Sequence, residues 1–253
     1  MSATRKFALA QIAAALMLAA APALAVPTLQ LDIAGGSYDT ATQTIIASGN
    51  RFSLYAYGTG VATTEKFFLS MALLPATSLP GGFGSFTVNG TTISATGGMT
   101  YGTAPIETLA SLQGFDSGDL PTHSIFPTYF AEKQFTFSSP SINRSGVYNT
   151  QDHAGWGPQA GTGMYYERFD FDISGLAAGY GLHFDLYNET ISTCGKAKNC
   201  TSGDVDVNYF APFSHDAQGM VAHVHEPGNC AMLLASLGLM GFVTRRRRQR
   251  EVL

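Results

Sequence analysis

Two stretches of apolar and polar alternation limit how this chain can fold. From Tyr165 to Ile173, the residues Tyr165, Glu167, Phe169, Phe171 and Ile173 share one side, with Tyr166, Arg168, Asp170 and Asp172 on the other. Successive side chains of a strand point to opposite faces, so this is the pattern of a strand with one buried face. Ser174-Gly175-Leu176 and Gly179 then turn the chain, and Leu182-His183-Phe184-Asp185-Leu186-Tyr187-Asn188 alternates again.

The same period recurs upstream. Leu29 to Ile33 alternates, Gly35-Gly36 punctuates, and Gln43 to Ala47 follows. Phe52, Leu54 and Ala56 point one way, with Ser53, Tyr55 and Tyr57 the other. Lys66 to Leu74 is an apolar run ended by Pro75, a strand buried on both faces or a short helix. Phe86-Thr87-Val88, Asn89-Gly90 and Thr91-Thr92-Ile93 predict a hairpin, because Asn-Gly tolerates the positive φ of a type I′ turn. Glu132 to Phe137 and Val205 to Phe210 add strands, while Pro105 to Gln113, followed by Gly114, is the expected helix before the tail. Asn149 to Gly163 reads as a glycine-rich loop around Trp156, without a phosphate-binding signature. Strands at short spacing with turns between them predict an all-β fold, an antiparallel β-sandwich or jelly-roll-like ectodomain over residues 26–214.

Both ends of the sequence carry addresses. Arg5 and Lys6, the apolar run Phe7 to Ala21, and Ala23-Leu24-Ala25 have the order of a secretory signal, residues 1–25, cut by signal peptidase after Ala25. Cys230 to Thr244 contains no charge and spans about 22 Å as a helix, so flanking residues must help it cross a hydrocarbon core of about 30 Å. A single transmembrane helix is expected at about 229–244, followed by the Arg cluster of residues 245–250. Those arginines favour a cytoplasmic C-terminus, which leaves the domain outside the inner membrane and residues 215–226 as its linker. Between Val26 and Glu226 the chain carries seven basic against seventeen acidic residues. That excess repels nucleic acid, so no nucleic-acid partner is expected.

Chemistry is harder to find. No serine sits in a G-x-S-x-G elbow and no H-E-x-x-H pair is present, so no catalytic residue, cofactor or metal ligand is assigned. His215, His223 and His225, with Asp216 nearby, fall in the linker, which lacks the rigid support of a metal site. Asp170 with Asp172, and Asp204 with Asp206, read as solvated sheet faces, since neither comes with a calcium loop. Phe, Tyr and Leu at period two are first of all core; Trp156, Tyr165 and Tyr166 are the candidates for stacking on an extracellular polysaccharide. Cys194 and Cys200 are expected to close a small disulfide loop in an exported protein, two free thiols being the alternative.

Glu226-Pro227-Gly228, the segment Leu233 to Gly241 and Arg245, Arg246, Arg247 and Arg248 occur in the order and spacing of the PEP-CTERM sorting signal of Gram-negative bacteria, which the tail, residues 225–250, resembles. His225 stands where that motif usually has its first proline. The resemblance implies a transient membrane anchor recognised and cut by an exosortase near His225, Glu226, Pro227 and Gly228, with a final location at the cell surface or outside the cell. Tyr165-Tyr166-Glu167, Asp172 to Leu176, Leu182 to Tyr187 and Ala211 to Asp216 are similar to segments of the choice-of-anchor N group, which implies no known activity. The expectation is a non-enzymatic surface or matrix protein; the alternatives are an extracellular carbohydrate- or calcium-binding module and a secreted hydrolase.

Overall fold

The computed structural model describes residues 26–191 and 202–222, together with Met240. The signal stretch with Ala23 and Ala25, the loop holding Cys194 and Cys200, and the tail motif and arginines (His225, Glu226, Pro227, Gly228 and Arg245 to Arg248) lie outside the described residues. Among the described residues no helix is long and apolar enough to cross a membrane.

The first half of the chain forms β1 (Leu29–Ile33), β2 (Ser37–Asp39), β3 (Thr44–Ile46), β4 (Arg51–Gly58), β5 (Phe67–Leu74), β6 (Ser85–Val88), β7 (Thr91–Ser94) and β8 (Thr100–Gly102). The second half adds β9 (Thr128–Phe135), β10 (Asn143–Ser145), β11 (Met164–Asp172), β12 (Gly181–Ile191), β13 (Val205–Phe210) and β14 (Asp216–Met220). One sheet runs β1-β4-β11-β6-β7 with β10 also on β11; the other runs β2-β3-β14-β12-β5-β9-β8 with β13 also on β12. All pairings are antiparallel except β14 with β3. The all-β expectation holds.

Alternation places the core between the sheets. Leu29, Leu31 and Ile33 of β1 join Leu69, Met71 and Leu73 of β5 and Leu182, Phe184 and Leu186 of β12 in one buried cluster. Phe171 of β11 meets Phe184 of β12 with ring centroids 4.7 Å apart, so the two strongest alternating stretches face each other across the layers. Each such side chain contributes about 1.5–3 kcal/mol by leaving water. The Asn89-Gly90 hairpin forms as expected, with φ of 49° and 77° at its two central residues.

Two expectations are corrected. Pro105 to Gln113 forms turns, not a helix. Gln113 folds back instead, its Oε1 accepting from the Glu107 N–H at 2.9 Å and its Nε2 donating to the Thr103 carbonyl at 3.0 Å. The segment expected to begin a linker at 215 continues the sheet: Phe213–His215 is a 3-10 turn and β14 follows it, between β12 and β3. Gly219 disguises this strand in sequence, because its Cα lies so close under Phe52 that an added Cβ would sit 2.7 Å from that ring.

Connections cover the outer faces of both sheets. The long β8–β9 connection closes over the second sheet, where Ala104, Leu120 and Phe126 form another core with Ala72, Phe130 and Tyr187. Over the first sheet, the glycine-rich loop is pinned by Asp32, whose carboxylate accepts from the N–H groups of Gly155 (2.7 Å) and Gly157 (2.9 Å) and from the Tyr148 hydroxyl (3.0 Å).

Glu167 of β11 gives a pH-dependent prediction. Burial alone pushes its pKa from 4.5 up to about 7, and its Oε2 is buried without a hydrogen-bond partner among the described residues. A carboxyl whose folded value lies above its unfolded one destabilises the fold as pH rises past the unfolded value, and the effect is complete above the folded one. Glu167→Gln should therefore stabilise the domain by about 1 kcal/mol at pH 8, after discounting for partial solvent screening, and by almost nothing near pH 4. Urea denaturation of both proteins at the two pH values checks this.

Candidate metal centre

Strand β12 changes neighbours along its length. Gly181 to Phe184 pair with β14, and Tyr187 to Ile191 pair with β13. Asp185 sits at the break. Leu182, Phe184 and Leu186 point into the core, which turns His183 and Asp185 to the outer face, the face roofed by the β8–β9 connection. The chain leaves β13, makes the Phe213–His215 turn and returns on the same side of β12, bringing in Asp216 at the first position of β14.

The fourth residue comes from the roof. Ile125 and Phe126 both donate backbone N–H groups to the Thr122 carbonyl (2.7 and 3.1 Å), closing a tight turn around His123 and Ser124. Those two residues have φ of 32° and 69°, a left-handed conformation that is unfavourable away from glycine. The strain is held by packing: the imidazole of His123 stacks on Phe213 with centroids 4.1 Å apart and an interplanar angle of 16°.

These elements converge four side chains. His123 Nε2 lies 3.1 Å from His183 Nε2, 3.0 Å from Asp185 Oδ1 and 3.8 Å from Asp216 Oδ2. His183 Nε2 lies 3.4 Å from Asp185 Oδ1 and 3.6 Å from Asp216 Oδ2. A tetrahedral shell with metal–ligand distances of about 2.0–2.1 Å places its ligand atoms roughly 3.3–3.4 Å apart, and the separations here bracket that value. His183, Asp185 and Asp216 are each at most 2% exposed. The Nδ1–H of His123 donates to the Pro121 carbonyl at 2.6 Å, which leaves the Nε2 lone pair aimed at the cluster.

Without an ion the charges fit poorly. Burial opposes the charged form of His183, but Asp185 and Asp216 outweigh it and raise its pKa to about 10. Burial likewise favours a neutral Asp185, yet His183 and His123 hold that carboxyl below its usual range. Asp216, buried beside the charge of Asp185, is pushed up to about 7. Protonating both imidazoles would aim two N–H groups at each other across 3.1 Å, and protonating one balances Asp185 alone, so that Asp216 must either take up a proton or leave a net negative charge in the interior. Both oxygens of Asp185 and both of Asp216 are buried and take no aligned hydrogen bond among the described residues. A divalent cation neutralises the two carboxylates and uses both imidazole lone pairs. The cluster borders a cavity of about 380 Å³ that His123, His183 and Asp216 line with Thr42, Thr44 and Gln218, so a bound ion would have a route to solvent.

The residues singled out in the sequence lie elsewhere, apart from Asp216. His215 is buried, its Nε2 3.0 Å from Asn149 Oδ1 and its Nδ1 2.9 Å from Ser214 Oγ, and burial pushes its pKa down to about 4. His223 lies outside the described residues. Asp170 and Asp172 pair with Arg168 and Arg51 on the surface. Of the aromatic candidates, Trp156 is exposed but stacks on His153 at 3.9 Å; Tyr165 packs near Phe137 beneath Arg144, and Tyr166 lies edge-on to Tyr55. The four clustered residues were legible only as an H-x-D pair on an alternating strand; their partners come from distant segments.

No family model, curated protein or solved structure matches this chain.

Proposed function

We propose that this chain is a non-enzymatic exported protein of the cell surface or extracellular matrix, whose β-sandwich ectodomain holds one divalent transition-metal ion at His123, His183, Asp185 and Asp216. One observation carries the metal: Asp185 and Asp216 bury four carboxylate oxygens that take no aligned hydrogen bond among the described residues, beside two imidazole nitrogens at ligand spacing. Buried polar groups are almost always paired, and a set of this kind calls for an ion. Two imidazoles with two carboxylates suit zinc and its neighbours better than calcium or magnesium. Four protein ligands match a structural site, and the ion fastens the roof residue His123 to β12 and β14. Elemental analysis of the exported protein tests this.

The address of the protein rests on its ends. The basic residues, apolar run and Ala23-Leu24-Ala25 support export through the inner membrane with cleavage by signal peptidase. The order of Glu226-Pro227-Gly228, apolar segment and Arg245 to Arg248 supports a PEP-CTERM-like transmembrane anchor at about 229–244, processed by an exosortase. Replacing Glu226 and Pro227 together by alanine should leave an uncut form in the membrane fraction of the native host. Fractionation and immunoblotting read this out, and release at the wild-type level would remove the sorting reading.

A further inference from the structure

A second cluster lies under the same roof and contains only oxygen donors. Carboxylate oxygens of Glu107, Asp116 and Asp204 all lie within 4.8 Å of one another. Glu107 and Asp116 belong to the β8–β9 connection, and Asp204 immediately precedes β13. The two segments are already tied, since the Thr108 hydroxyl donates to the Gly203 carbonyl at 2.9 Å and the Val207 N–H donates to the Gly118 carbonyl at 2.9 Å.

Proximity of acids alone would mean little at a surface. Here two acids are buried and half-satisfied. Glu107 is 7% exposed; its Oε2 accepts from the Val205 N–H at 3.2 Å while its Oε1 is buried with no hydrogen-bond partner among the described residues. Asp119 is 8% exposed; its Oδ2 accepts from the Asp116 N–H at 3.1 Å while its Oδ1 is likewise buried and unpartnered. Asp204 Oδ1 makes a third such atom. In each of the two buried acids a backbone N–H holds one oxygen, and in Glu107, which belongs to the cluster, this leaves the other oxygen for a ligand. Among the described residues, every charged side chain found to act on Glu107 and Asp119 is another carboxylate. Asp116 and Asp204 act on both, Asp206 acts on Glu107, and Glu107 acts on Asp119.

We infer that Glu107, Asp116 and Asp204, with the charge of Asp119 beside them, form a binding site for a hard divalent cation of the calcium class, which fastens the connection carrying His123 to the segment entering β13. Calcium takes six to eight oxygen ligands in flexible geometry, and three carboxylates completed by water suit it. The two clusters then divide their ions by donor: imidazole nitrogen selects a transition metal at the first, and an all-oxygen set selects calcium at the second. This site does not depend on the first being filled, and each can be measured with the other kept constant.

The test is calorimetric titration of the chelator-treated exported protein, kept at a fixed zinc concentration, with calcium chloride up to about 10 mM, above the dissociation constants typical of extracellular calcium modules. One calcium per chain, with a higher melting temperature on addition, is expected. Glu107→Gln and Asp204→Asn should each weaken calcium binding at least about tenfold and leave zinc uptake unchanged, since neither touches the first cluster. Absence of both saturable binding and a melting shift in the wild-type protein would overturn the assignment whether or not the variants fold. Wild-type calcium affinity in both variants would overturn it equally.

Discussion

Asp185→Asn abolishes the dependence of the domain's melting temperature on zinc. In the wild-type protein, an ion at a concentration about a thousand times its dissociation constant stabilises the native state by about 4 kcal/mol, because it binds the folded chain and not the unfolded one. For a domain of this size that amounts to a rise of about 8–16 °C over the chelated protein. The substituted amide keeps the shape of the side chain but loses the charge that draws the metal to the oxygen 3.0 Å from His123. The variant should therefore melt at one temperature with and without zinc. In chelator it should be less stable than wild type by about 3–5 kcal/mol, because the substitution removes the carboxylate that faces the buried His183 and His123 imidazoles and leaves their charge uncompensated. A purely structural ion-pair network behaves otherwise: the wild-type protein would then melt at one temperature with zinc and with chelator. Differential scanning calorimetry of both proteins in both conditions separates the two.

Asp32→Ala destabilises the domain by about 3 kcal/mol and leaves metal binding intact. Its carboxylate lies on the outer face of the first sheet, away from the candidate centre, and holds the glycine-rich loop through the N–H groups of Gly155 and Gly157 and the Tyr148 hydroxyl. Tyr148 has other acceptors, the Gly157 carbonyl at 2.9 Å and the Tyr57 hydroxyl at 2.9 Å, so its loss is partly made good. The two backbone N–H groups are not, and each buried unsatisfied donor costs about 1–3 kcal/mol. The loop lies close on the chain after β1 at this point: Gly155 has a φ of 85°, and an added Cβ would collide with the Gly36 carbonyl. Thermal melting should show a loss of about 6–12 °C, with zinc still raising the melting temperature by the wild-type amount.

The layered β architecture was legible because its strands alternate in sequence as they do in space. Tyr165 to Ile173 and Leu182 to Asn188 give both the strands and their core residues, and Asn89-Gly90 gives a hairpin with its turn type. Short strands were not legible. Ser37–Asp39, Thr100–Gly102 and Asn143–Ser145 are too brief to show a period, and in Asp216–Met220 a buried acid and a glycine under Phe52 hide the pattern. Pro105 to Gln113 has apolar spacing suited to a helix, yet its Glu107 is buried and bound to the first residue of β13, which a local pattern does not record.

The candidate centre was half legible. His183 and Asp185 stand on a predicted strand at i and i+2, where the core-facing alternation of Leu182, Phe184 and Leu186 already turns them outward. Nothing local says that this outer face is covered. His123 comes from a roof loop with no period, sixty positions from His183, and Asp216 from a segment that reads as linker.

Elemental analysis of the protein, purified without added metal or chelator, tests the central claim most directly. One transition-metal ion per chain is predicted, lost on prolonged chelation and restored by zinc with the associated rise in melting temperature. A protein that emerges without such an ion, takes up none when zinc is supplied after chelation, and melts at the same temperature throughout would contradict the metal centre.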